Sequence, residues 1–121
     1  MCIRDSCEDM ALAYKVSDII VSASIEPEAF GRVAVEAQSM EKLIIASNIG
    51  GSNETIIDEK TGFLFKSGDA ESLSKKIIHG LTMDETSRNL MGKEGRNNII
   101  KKFNVEKMCF STYSEYKRLL N

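Results

Sequence analysis

Asp18-Ile19-Ile20-Val21-Ser22-Ala23-Ser24-Ile25-Glu26-Pro27-Glu28-Ala29-Phe30-Gly31-Arg32-Val33-Ala34-Val35-Glu36-Ala37 is the stretch from which the rest of the chain can be read. It opens on a short run of β-branched residues, the mark of a strand buried on both faces. Small residues and the one proline of the chain follow, so Ser24 to Phe30 reads as a loop. Gly31 to Lys42 then has helical spacing, with Val33, Ala34, Ala37 and Met40 on the inner face. Strand, loop and helix in that order form the first half of a parallel crossover unit.

Upstream, Glu8 to Val16 places Met10, Ala11, Ala13 and Tyr14 near helical spacing and predicts a short helix. Downstream, Leu43 to Ser47 predicts a second buried strand, and Asn48 to Ser52 a turn. A helical turn follows at Asn53 to Ile57, then a surface turn at Asp58 to Gly62 and a strand at Phe63 to Phe65. Asp69 is placed to cap a helix running to about Leu81, with Leu73, Ile77, Ile78 and Leu81 inward; Ser72 stands where a capping-box acid usually sits. Asp84 is placed to cap another helix, reaching about Phe103, with Leu90, Met91, Ile99 and Ile100 inward. Asn104 starts a last helix, Val105 to Leu120, with a broad stripe of Met108, Cys109, Tyr113, Tyr116, Leu119 and Leu120.

These elements define an α/β protein with about three parallel strands flanked by helices and extra C-terminal helices. An ordinary doubly wound sheet has about five or six strands. The expected object is therefore the second half of such a sheet, with the first strand left bare on one edge. Residues 1–6 match nothing that follows and read as a non-native or disordered leader, with the domain proper in residues 7–121.

Composition narrows the function. Sixteen basic against eighteen acidic residues give a net charge of −2, which supports neither nucleic-acid binding nor a polybasic membrane anchor. No apolar run approaches the length needed to cross a bilayer. Cys2, Cys7 and Cys109 are odd in number and lack metal-site spacing, so they read as reduced thiols of a cytosolic chain. His79, the one histidine, has no partner near in sequence and reads as a helix-boundary residue.

The chemistry falls at the carboxyl end of the first strand, where open α/β sheets bind ligands. Gly31 lets a ligand approach the backbone, and the unpaired amides of Arg32 and Val33 at the helix start suit a phosphate. Glu28 and Glu36 flank that start with seven residues between them. Acids beside a phosphate repel it but accept hydrogen bonds from hydroxyl groups on either side. A nucleotide sugar has that layout of ribose, pyrophosphate and hexose.

Glu28 and Glu36 at this spacing, with Phe30-Gly31 between them, resemble the signature of the family 4 (group 1) glycosyltransferases. Asp18 to Ser24 resembles the strand and turn before it, and Leu43 to Ser47 the strand after it. Gly50-Gly51-Ser52-Asn53-Glu54 is similar to the family's Gly-Gly-x-x-Glu turn. Thr61 to Phe65 with Gly68-Asp69 resembles its last strand and helix cap. The resemblance implies the C-terminal domain of a GT-B enzyme, built of two Rossmann-like domains, which binds a nucleotide-sugar donor and transfers sugar with retention. By that resemblance Glu36 would hold the ribose hydroxyls. Glu28 would be the catalytic carboxylate on the donor sugar. Phe30, Gly31, Arg32 and Val33 would meet hexose and pyrophosphate through their backbone. No metal or other cofactor is expected.

The expected partners are the donor and an N-terminal acceptor domain, with a polysaccharide or glycolipid as acceptor. The full-length enzyme would be cytoplasmic, with peripheral membrane association at most. Many members have Gly and Pro where Glu41 and Leu43 stand, which removes an easy helix C-cap at Glu41. Two other readings are a GT-B nucleotide-sugar epimerase, which would need a histidine or acid array, and a non-catalytic nucleotide- or partner-binding module.

Overall fold

The computed structural model describes residues 10–26, 32–102 and 105–120, with backbone alone for 10, 11 and 105–111. In chain order the elements are α1 (Met10–Val16), β1 (Ile19–Ser22), α2 (Arg32–Ser39), β2 (Leu43–Ser47), α3 (Ser52–Thr55), β3 (Phe63–Phe65), α4 (Ala70–Thr82), α5 (Glu85–Lys102) and α6 (Val105–Leu120). The strands form one parallel sheet in the order β1-β2-β3, with Ile19 opposite Leu43 and Ile45 opposite Phe63. β1 is an edge strand, and its Val21 is 41% exposed.

Alternation along the strands sends side chains into two cores. Ile44 and Ala46 join Tyr14, Ala34, Ala37 and Ile56 on one face, with Ile20, Val33 and Leu64 packed against them. Leu43, Ile45, Phe63 and Phe65 fill the other face with Leu73 and Ile77 of α4 and Met91 of α5. Every residue of β2 is buried because both faces of the sheet are covered.

α2 ends earlier than its apolar spacing predicts. Glu41 takes a left-handed φ of 59°, its amide donates to Gln38 O at 3.0 Å, and Lys42 N donates to Ala37 O at 3.0 Å. This is a Schellman turn with a glutamate where glycine is preferred. The cap of α4 is as expected, Asp69 accepting from Glu71 N and Ser72 N. The Ser72 hydroxyl instead accepts from Lys66 N at 3.2 Å, outside the helix.

Four inward assignments are corrected: Ile78, Leu81, Leu90 and Ile100 are more than half exposed. Glycines make the close contacts in their place. A Cβ on Gly80 would lie 2.9 Å from Leu43 Cδ2, and one on Gly95 would lie 3.2 Å from Gln38 Cγ. The Asp58–Gly62 turn is also less superficial than its composition suggests. Thr61 is 1% exposed, and its hydroxyl accepts from Ile57 N at 2.8 Å. On α6, Tyr113, Tyr116, Leu119 and Leu120 are exposed, while the side chains of Met108 and Cys109 lie outside the described residues.

Candidate donor site

The carboxyl ends of the strands gather small polar residues. Ser47 Oγ donates to Ser22 O at 3.5 Å, and Ser67 Oγ to Ser24 O at 3.3 Å. Asn48 N donates to Phe65 O at 2.8 Å, which turns the chain out of β2. Gly50 then takes φ 58°, a value that favours glycine, and starts the turn into α3. The buried Gln38 amide ties α3 to α2, donating to Thr55 O at 3.0 Å and to Ala34 O at 3.1 Å.

α2 begins at Arg32, after the crossover from β1, so its first-turn amides lie on this side of the sheet. Val33 has two roles: its backbone is in that first turn, while its half-buried side chain packs on the core. Glu36 lies one turn further on, roughly 6 Å along the axis. Both of its oxygens are engaged. Tyr14 Oη donates to Oε2 at 2.8 Å, and Arg32 Nε donates to Oε1 at 2.9 Å.

The two donors differ. Tyr14 is 5% exposed and locked in the core between α1 and α2, whereas the Arg32 side chain is 87% exposed. An exposed ion pair across one helical turn contributes about 0.5 kcal/mol or less and yields readily to a competitor. Burial, then the hydrogen bond to Glu36 and its negative charge, push the Tyr14 phenol up to about 12, with Arg32 working weakly the other way. Tyr14 therefore stays protonated and donates its hydrogen bond to Glu36 throughout the neutral range.

The structure thus brings Arg32, Val33 and Glu36 together at the start of α2. Glu28, Phe30 and Gly31 lie outside the described residues. Tyr14 was not singled out from the sequence for any role beyond packing. It stands 22 residues from Glu36, and no spacing rule links them. His79 is on the other side of the sheet, its ring 5.0 Å from Phe63 in an edge-on contact. Among the described residues no group of three or more His, Cys, Asp or Glu could hold a metal, and no helix is long and apolar enough to cross a membrane. A groove of about 400 Å³ lies at the opposite, amino ends of β1 and β2, lined by Asp18, Leu43 and Arg88 among others.

Residues 3–98 match the family Glycosyl transferases group 1. The chain belongs to the group 1 glycosyl transferases. The glycosyltransferase CapM of capsular polysaccharide biosynthesis in Staphylococcus aureus is 33% identical over 93 residues, which is 77% of this chain and 24% of CapM. The UDP-Gal:alpha-D-GlcNAc-diphosphoundecaprenol alpha-1,3-galactosyltransferase of Escherichia coli is 33% identical over 99 residues, 82% of this chain and 25% of that protein. The crystal structure of a glycosyltransferase from Rickettsia africae ESF-5 superposes with a TM-score of 0.88 at 40% identity, over 95% of this chain and 31% of that one. This group 1 glycosyl transferase chain therefore spans about a quarter to a third of the length of these three relatives.

Proposed function

We propose that this chain is the second half of the nucleotide-sugar-binding domain of a retaining GT-B glycosyltransferase. The reading rests on Glu36: a carboxylate about a third exposed, near the carboxyl end of a parallel sheet, beside a helix start, hydrogen-bonded by a buried tyrosine. That carboxylate accepts the donor's ribose hydroxyls. The amides of Phe30, Gly31, Arg32 and Val33 receive hexose and pyrophosphate, and Glu28 contacts the sugar. The dipole of α2 favours the negative charge that builds on the departing diphosphate, and this asks for no metal. The E. coli relative, named for a UDP-sugar donor, supports a nucleotide sugar as the substrate class.

In the full-length protein an N-terminal domain would supply the acceptor site, for a polysaccharide or glycolipid at the cytoplasmic side of a membrane. Upstream strands would pair with the bare edge of β1. An epimerase is less well supported, because the one histidine packs on Phe63, across the sheet from Glu36.

Glu36→Ala in the full-length protein tests the proposal. Donor affinity should fall at least tenfold, as when charged hydrogen bonds to a ligand are lost. Unchanged donor affinity and transfer would overturn the role given to Glu36, and a wild-type protein that binds the donor without transferring sugar would favour the non-catalytic module. The 121-residue chain alone should bind weakly and turn over no donor.

A further inference from the structure

A vicinal diol is held best when each hydroxyl donates to a different oxygen of one carboxylate, so the plane of that carboxylate must be fixed before the ligand arrives. Glu36 sits on a helix surface, with a third of its side chain exposed and three torsions to order. Its two contacts do not fix it equally. The Arg32 guanidinium is in solvent and is the partner an incoming hydroxyl can displace. The Tyr14 hydroxyl cannot follow the carboxylate or leave it. Its ring is buried with Ala34, Ala37, Ile44 and Ala46, and it reaches Oε2 from a different helix. One acceptor position of Oε2 is thus taken by Tyr14, while a third of the Glu36 side chain stays exposed with acceptor capacity to spare.

We infer that Tyr14 is a positioning residue for donor recognition, its hydroxyl, carried on a buried ring, setting the plane of the Glu36 carboxylate so that its two oxygens can meet a ribose diol. The inference rests on the reading of Glu36 above and adds a residue from α1, outside the signature segment. A purely structural role for Tyr14, tying α1 to α2, would affect all ligands alike. A positioning role acts through the diol alone.

The test is ribose discrimination in the full-length protein. Calorimetric titration compares whichever of UDP, GDP and ADP binds tightest with its 2′,3′-dideoxy counterpart, in wild type, Tyr14→Phe and Glu36→Ala. Tyr14→Phe keeps the ring and the packing, and a melting curve confirms the fold. In Tyr14→Phe the affinity ratio between ribo and dideoxy ligands should fall about five- to tenfold, the effect of one ordinary hydrogen bond, because Tyr14 acts on the diol only through the carboxylate. In Glu36→Ala it should fall to near one. A ratio that collapses in Glu36→Ala but persists in Tyr14→Phe overturns the positioning role and leaves the carboxylate's role standing. A ratio that persists in Glu36→Ala, or is absent in wild type, overturns both.

Discussion

Gly92→Ala is the substitution on which helix propensity and packing disagree most sharply. In a free helix the change stabilises by about 1 kcal/mol. Here Gly92 lies in α5 against the turn that ends α2. A Cβ at that position would be 2.1 Å from Glu41 O and 2.7 Å from Glu41 C. An ordinary carbon–oxygen contact is about 3.3 Å or more, so the helix or the turn must move by roughly 1.2 Å. No side-chain rotation relieves the clash, because both atoms are backbone. The turn is also pinned, by Lys42 N to Ala37 O and Glu41 N to Gln38 O, each at 3.0 Å. Overpacking of this kind costs about 3 kcal/mol or more. Set against the propensity gain, the net loss is about 2 kcal/mol, or roughly 6–10 °C in Tm for a domain of this size.

Urea unfolding followed by circular dichroism measures this directly, with two controls in the same helix. Gly95→Ala, whose Cβ would lie 3.2 Å from both Gln38 Cγ and Thr61 O, should stay within about 1 kcal/mol of wild type. The exposed Asn97→Ala should gain a few tenths, about the difference in propensity. A Gly92→Ala protein as stable as the Asn97→Ala control would refute the packing of α5 on the α2 turn.

Other outcomes follow from the same contacts. Glu41→Gly relieves a left-handed φ of 59° and should raise stability by about 0.5–1 kcal/mol in the same unfolding assay. Asp69→Ala removes the side chain that accepts from Glu71 N and Ser72 N, and should cost about 1 kcal/mol, with Asp69→Asn recovering most of it. Tyr14 is raised from 10.0 to about 12, so the folded state holds its proton more tightly than the unfolded state does. The stability that Tyr14 adds over Tyr14→Phe is therefore complete below pH 10 and declines as pH rises from 10 to about 12. The tyrosinate absorbance of wild type minus that of Tyr14→Phe should show a midpoint near 12 in the folded chain.

The elements that could be read from the sequence are those whose residue types leave one choice. Leu43 to Ser47 is apolar or small throughout, and β2 has the expected bounds because burial on both faces selects that composition. The Asp69 cap was legible for the same kind of reason, since side chain and position agree. On α4 and α5 the inward readings of Leu73, Ile77, Met91 and Ile99 hold, and those of Ile78, Leu81, Leu90 and Ile100 fail because hydrophobicity was taken as the mark of contact. The faces that pack follow helical spacing through Leu73, Ile77 and Gly80, and through Met91, Gly92, Gly95 and Ile99. Ile78, Leu81, Leu90 and Ile100 lie to one side of those lines and are exposed. A glycine that admits a neighbouring backbone gives no hydrophobic signal, so composition alone passes over it.

The position of the candidate site follows from the same architecture. An open parallel sheet covered on both faces binds ligands at its strand ends, and here the two ends differ in kind. The amino ends of β1 and β2 border a groove with acids and bases mixed together, Asp18, Glu41 and Glu85 beside Lys42 and Arg88. Such a lining sets no consistent charge for a polyanion. The carboxyl ends have serine hydroxyls, a left-handed glycine and the first amides of α2, groups that can donate hydrogen bonds to an anion. Among the described residues Glu36 is a carboxylate held there by two hydrogen bonds, about a turn beyond the first amides of α2; the proposed role needs that spacing, with a hydroxyl and not the phosphate facing the carboxylate. The amino-end groove is therefore the weaker candidate, because the chemistry of the lining decides between the two ends.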